Sequence, residues 1–189
     1  MKLKFSISPA TCILLFCMIA TTPLKPLTAC LLAAAVHELG HIAAARLLSI
    51  NLSELRIDVL GARLGTCGRL CSYPALIALC IAGPAINFLC FALAFPWGHR
   101  SEWLHEFGLS SLSLGLMNLI PVEGFDGGRI LHGLLCKFLQ PDWAERICRI
   151  LSFCSILLLW MLSVWLLLRT GSSLTLFVFS CLLFCMLFV

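Results

Sequence analysis

The residues of this chain best suited to chemistry are His37, Glu38 and His41, within the stretch 27–48, LTACLLAAAVHELGHIAAARLL. The rest of that stretch reads as membrane, where ionisable residues are rare and usually mark a functional site. On a helix, His37 and His41 share one face, one turn apart. This is the H-E-x-x-H arrangement, which offers two imidazoles to a zinc ion and places a glutamate beside it as general base. The structural alternative is a pair of core histidines hydrogen-bonded to neighbouring helices.

Catalytic zinc needs a third protein ligand and an open position for water. The run 118–129, NLIPVEGFDGGR, supplies a candidate in Asp126, a carboxylate in apolar surroundings. Pro121 interrupts a helix and frees backbone groups. Gly124, Gly127 and Gly128 let the backbone turn or approach another chain closely. Broken helix at membrane depth is tolerated where it lines a cavity or is buried in protein. Asp126 reads equally well as the N-cap of a helix over 127–138, and the two roles do not exclude each other.

The elements that must position these residues are helices in a bilayer. The chain has 189 residues, 61% hydrophobic and 12% charged, with mean hydropathy +1.04. Soluble domains are nearer half apolar, so the expected fold class is all-α, a polytopic helical bundle forming one membrane-embedded domain over 1–189. Six apolar segments, 5–22, 27–48, 74–97, 107–136, 147–168 and 172–189, are the expected spans, with the first and last short. If the N-terminus is cytoplasmic and all six cross, only Lys25, Arg100 and Arg169 of the 13 lysines and arginines fall outside. That positive-inside bias predicts both termini cytoplasmic. It also runs the second and fourth spans in one direction, so the histidine pair and Asp126 could meet at similar depth. The segment 51–73 differs: Leu55-Arg56-Ile57-Asp58-Val59 alternates as a half-buried strand does, with Gly61, Gly65 and Gly68 as turn residues. A short hairpin at the membrane surface and an irregular amphipathic loop are both open readings.

The net charge of +4 comes without a basic stripe, so no nucleic-acid partner is expected. Eight of the twelve cysteines fall inside apolar runs and read as small hydrophobes; Cys67 and Cys71, four apart in a polar segment, lack partners for a second metal site. Lys2 and Lys4 before an apolar run imitate a signal peptide, but no cleavage site follows, so a retained first span is expected.

The H-E-L-G-H run, the N-x-x-P-x-x-x-x-D-G-G run and Gly83-Pro84-Ala85-Ile86-Asn87 between them resemble the site-2 protease family of intramembrane zinc metalloproteases. The six-span layout looks most like the bacterial branch that includes stage IV sporulation protein FB. The resemblance covers about 30–135, within a catalytic core of about 27–138. It implies one zinc per chain, held by His37, His41 and Asp126, with Glu38 activating water. It also implies that Asn118, Pro121 and the loop to Asp126 hold substrate and that Asn87 lines the site, although an interhelical hydrogen bond is an equal reading for Asn87. It implies a membrane protein substrate and a regulatory membrane partner, in a bacterial cell membrane. The segment 52–66 resembles the family's membrane-associated β element, which could pair with substrate by strand addition. The chain departs from the family between Pro121 and Asp126, where Val122-Glu123-Gly124-Phe125 replaces further proline and leucine. Neither a PDZ-like nor a nucleotide-sensing domain is expected.

Two other functions fit the same residues less well: an inactive relative that binds or regulates a membrane partner, and a metal transporter, for which no chain of acidic sites is visible. His132 is expected to pack rather than support the site. His99, Glu102, His105 and Glu106 read as solvated surface, and Trp97 and Trp103 as an interface belt.

Overall fold

The computed structural model describes residues 4–7, 15–16, 18–50, 52–58, 61–66, 72–170 and 174–186. Helices dominate them. They are α1 (Leu24–Leu47), α2 (Tyr73–Ala94), α3 (Glu102–Asn118), α4 (Asp126–Phe138), α5 (Pro141–Thr170) and α6 (Leu174–Met186), with a 3-10 turn at Phe95–Trp97 after α2. Among the described residues, three helical stretches are long and apolar enough to cross a membrane: Leu24–Leu47, Tyr73–Trp97 and Pro141–Thr170. At about 1.5 Å per residue they span the ~30 Å of a bilayer core. By the same measure α3 reaches only about 25 Å.

Two expectations need correcting. The segment 107–136 is not one span, because α3 ends at Asn118 and α4 begins at Asp126. Pro121 has no N–H for a helical ladder, and a turn closed by the Phe125 N–H donating to Val122 O at 3.0 Å follows it. Gly124 in that turn has φ 103, a conformation side chains resist. The segment 5–22 does not start as helix: Lys4–Ile7 is strand β1. Residues 8–14 and 17 of that expected span lie outside the described residues, as do Cys67 and Cys71.

Between α1 and α2 run β2 (Leu52–Asp58) and β3 (Gly61–Thr66). They pair antiparallel, from Asp58↔Gly61 to Leu52↔Thr66, with an irregularity between Leu52 and Glu54. β1 joins the other edge of β2 in parallel, from Lys4↔Glu54 to Ile7↔Ile57, giving the order β1-β2-β3.

The helices α1, α2 and α3 pack on one another. Gly83 of α2 lies against His37, while His41, one turn further along α1, reaches back to Leu79 of α2, so α1 and α2 are antiparallel. Gly115 of α3 meets Asn87 and Phe88, and Gly108 meets Phe95, so α3 is antiparallel to α2 as well. α1 and α3 are therefore parallel. Their first turns are joined by the Lys25 Nζ–Glu102 Oε2 pair at 2.7 Å and by Trp103 Nε1–H donating to Thr28 Oγ1 at 3.1 Å. This is the shared direction expected of the second and fourth apolar segments. α4 packs on α2 and α5, and α5 on α6. Val122 and Phe125 of the α3–α4 loop are buried with Ile156 and Leu159 of α5 and Leu183 of α6. Apolar burial thus clamps the loop that leads into Asp126.

Candidate metal centre

The helix α1 places His37 and His41 one turn apart, facing α2 and the start of α4. His37 begins about 20 Å along α1 and lies about 15 Å from its end at Leu47. Asp126 is the first residue of α4, and Phe125 occupies the cap position without a side-chain cap bond. The capping role is thus not the one Asp126 takes: its carboxylate faces the two histidines. His41 Nε2 lies 3.1 Å from Asp126 Oδ2 and 3.1 Å from His37 Nε2. His37 Nε2 lies 3.2 Å from Asp126 Oδ2. The three residues are 4%, 5% and 6% exposed for His37, His41 and Asp126.

Hydrogen bonding orients the donor atoms. His41 Nδ1–H donates to the Leu79 carbonyl of α2 at 2.8 Å, which leaves the Nε2 lone pair directed at the cluster. That carbonyl lies in a turn of α2 already disturbed by Pro84, which offers no N–H to Cys80 O. Asp126 Oδ2 is buried without a hydrogen-bond donor. Two imidazole nitrogens and a carboxylate oxygen crowded together repel unless a cation or protons lie among them. A tetrahedral ion with bonds of about 2.0 Å needs ligand atoms about 3.3 Å apart, close to the triangle found here. Among the described residues, this is the one group of three or more His, Cys, Asp and Glu side chains able to hold a metal ion.

Gly83 closes the site from α2. A Cβ there would run into His41 Nε2, and would stand 2.6 Å from His41 Cε1 and 2.8 Å from His37 Cε1. The imidazoles fill the space a side chain would need. The Gly-Pro step was visible in the sequence, but its task was not. A second feature that sequence reasoning missed is Ser152 of α5, buried to 1% exposure. Its hydroxyl accepts from Glu123 N–H at 2.7 Å and lies 3.4 Å from Pro121 O. A serine inside an apolar span was the only signal available for it.

The other expected site residues lie as follows. Glu38 is half-buried on α1, between the two histidines in sequence. Asn118 ends α3, and its Nδ2 donates to Leu114 O at 3.0 Å, within its own helix. Pro121 lies in the loop. Asn87 is fully buried on α2, one turn beyond Gly83, with neither amide atom hydrogen-bonded, so the interhelical bond considered for it is not formed. Glu123 is exposed. His132 stands with its Nε2 3.6 Å from Cys136 Sγ on α4. Glu102 and Lys25 are exposed at the opposite end of the bundle.

Fold and site together define a helical protein of membrane type with a buried His-His-Asp cluster able to hold a metal. The sequence model of Peptidase family M50 matches residues 96–162, about a third of the chain, including the loop, Asp126 and Ser152 but not the histidine pair. Among solved structures, the site-2 protease from Methanocaldococcus jannaschii has the same fold, with a TM-score of 0.64 at 19% identity over 93% of this chain and 82% of that one. No curated protein sequence matches the chain. The resemblance to site-2 proteases read from the motifs therefore stands on a family match and on a shared fold.

Proposed function

We propose that this chain is an intramembrane zinc metalloprotease that hydrolyses peptide bonds of membrane or membrane-associated proteins near the cytoplasmic face. The observation that carries the reading is the convergence of His37 Nε2, His41 Nε2 and Asp126 Oδ2 to within 3.2 Å of one another, with Glu38 on the same helix as the two histidines. These three residues would hold one zinc, which when bound supplies Lewis-acid polarisation of the scissile carbonyl and an acidified water. Glu38 takes a proton from the attacking water and delivers it to the leaving amine. His41, fixed by the Leu79 carbonyl, keeps the site in register. Burial keeps bulk water away and strengthens every charge interaction inside.

A helical substrate hides its carbonyls in internal hydrogen bonds, so it must be held extended. Asn118, Pro121 and Asn87 are the residues proposed to bind it. Asn87, with both amide atoms unsatisfied and buried, has hydrogen-bonding capacity to offer. Among the described residues no strand lies beyond β3, and its outer edge would admit an extended segment by strand addition. The proposed setting is a bacterial cell membrane, with both termini cytoplasmic by the positive-inside bias, and with regulated proteolysis of the sporulation type as its context.

The test pairs wild type with Glu38→Gln, co-expressed with a library of tagged membrane-tethered substrates and read by mass spectrometry. Both proteins should hold one zinc, and only wild type should yield products, which a zinc chelator should abolish. Identical product lists from two zinc-loaded proteins would end the hydrolytic reading.

A further inference from the structure

We propose that Ser152 is a positioning residue of the metal centre, fixing from α5 the loop that presents Asp126. The inference rests on the metalloprotease reading and deepens it. The α3–α4 loop meets most of its backbone needs internally. Leu119 N–H and Ile120 N–H donate back to Leu116 O and Met117 O, Val122 N–H donates to Ile120 O, and Phe125 N–H donates to Val122 O. Glu123 N–H instead crosses to α5, where Ser152 Oγ accepts it at 2.7 Å. The same hydroxyl is the donor to Pro121 O, at 3.4 Å. One buried side chain therefore ties down both ends of the Pro121–Glu123 step.

The apolar clamp and the hydroxyl act differently on the loop. Val122 and Phe125 are held by burial, which is not directional. A hydrogen bond has an angle and a length, so Ser152 sets the rotation of the peptide groups around Glu123. Asp126 follows only three residues later, with Gly124 the freest joint between them. A carboxylate that must stay within a few tenths of an ångström of its place cannot be left to a pivot at glycine. Ser152 fixes the chain on the upstream side of that pivot, and the buried Phe125 holds it on the downstream side. Alanine at 152 keeps the helix and the packing but leaves the Glu123 N–H without a partner.

The experiment uses the full-length protein in detergent with two readouts. The first is hydrogen–deuterium exchange of the 119–125 segment in metal-free protein. The second is release of zinc to a chelator, with kcat and KM taken where cleavage is measurable. Ser152→Ala should speed exchange of the loop at least tenfold and zinc release at least fivefold, and should lower kcat more than it raises KM. Ser152→Thr, which keeps the hydroxyl, should restore all of them to within twofold of wild type. If Ser152→Ala cannot be isolated folded, Ser152→Cys is read instead, since a thiol is a weak acceptor, and the same losses are expected. Unchanged exchange and unchanged zinc release in the Ala or Cys variant would overturn the proposal. A wild type that holds zinc but cleaves nothing would remove the protease reading alone, and the exchange and release measurements would still decide on Ser152. A wild type that holds no zinc would overturn both.

Discussion

Replacing Gly83 by alanine tests whether the metal centre is built by close approach of α1 and α2. The added methyl carbon would stand 2.6 Å from His41 Cε1 and 2.8 Å from His37 Cε1, and nearer still to His41 Nε2. Carbon atoms in favourable contact are about 3.5 Å apart or more, so the overlaps are roughly 0.9 and 0.7 Å. Neither ring has a free path away. His41 is tied by Nδ1 to the Leu79 carbonyl, and both rings are buried. Nor can the helices slide closer elsewhere, because Gly40 of α1 already lies against Ala82 O of α2. The strain must go into rotating the imidazoles or parting the helices by something near 1 Å. Overpacking of this kind costs about 1–3 kcal/mol, and metal ligands tolerate displacements of only ~0.2 Å. If the whole cost falls on the metal-bound geometry, zinc affinity falls about 5- to 150-fold, at about 1.4 kcal/mol per tenfold.

The assay is chelator competition on purified protein, beside Gly115→Ala as control. At Gly115 the nearest atoms to a new Cβ are side-chain carbons of Phe88 at 3.2 Å and Asn87 Cβ at 3.4 Å. A flexible phenylalanine can yield a few tenths of an ångström, so that variant should bind zinc as wild type does. Gly83→Ala binding zinc within threefold of wild type would refute the close approach and the argument built on it.

Three further outcomes follow from other parts of the site. Asp126→Asn keeps shape but removes the charge facing two histidines; zinc retention should fall by more than about 100-fold, the upper range for losing a ligand's hydrogen-bond partner, measured by metal analysis after gel filtration. Gly127→Ala puts a methyl into the backbone carbonyls of Leu119 and Ile120. Rigid backbone cannot yield as Phe88 can, so this variant should lose about 3 kcal/mol or more and melt well below Gly115→Ala in a thermal shift assay. Ser163→Ala breaks the buried 2.8 Å Oγ–Oγ contact between α5 and Ser180 of α6. Such contacts between membrane helices average about 0.6 kcal/mol, so unfolding in detergent should shift slightly while zinc content stays at wild-type level.

The sequence made the His-His-Asp cluster legible because membrane burial makes polar residues conspicuous. His37, His41 and Asp126 stand out against apolar surroundings, and the charge bias gave the second and fourth segments one direction, which α1 and α3 share, although Asp126 itself stands at the start of the separate helix α4. The break at Pro121 and a new helix from about 127 were legible too, but not the path of the chain between them. The residues 107–136 are continuously apolar enough to suggest one span, and a single proline is compatible with a kinked helix. What decides is cumulative: Pro121 removes a donor, Gly124 takes a positive φ, and Val122 and Phe125 are buried against α5 and α6. Those last partners are some 30 to 60 residues away in sequence, so no local pattern contains them. Ser152 was invisible for the same reason: its meaning lies in a peptide group of another element.

Gly83 shows a middle case, where the residue was seen but its purpose was not. A helix that offers two imidazoles at i and i+4 presents their bulk to whatever packs on that face. If the neighbouring helix carried a side chain at the same level, the rings would be pushed off the axis along which Asp126 approaches. The neighbour must therefore be bare at that point, which glycine satisfies. It must also offer an acceptor to orient one ring, which the Leu79 carbonyl one turn away provides. Pro84 beside Gly83 disturbs the helical ladder at the same turn. A Gly-Pro step in an antiparallel helix, at the depth of an H-E-x-x-H pair, is thus what packing requires of a metal centre assembled between helices.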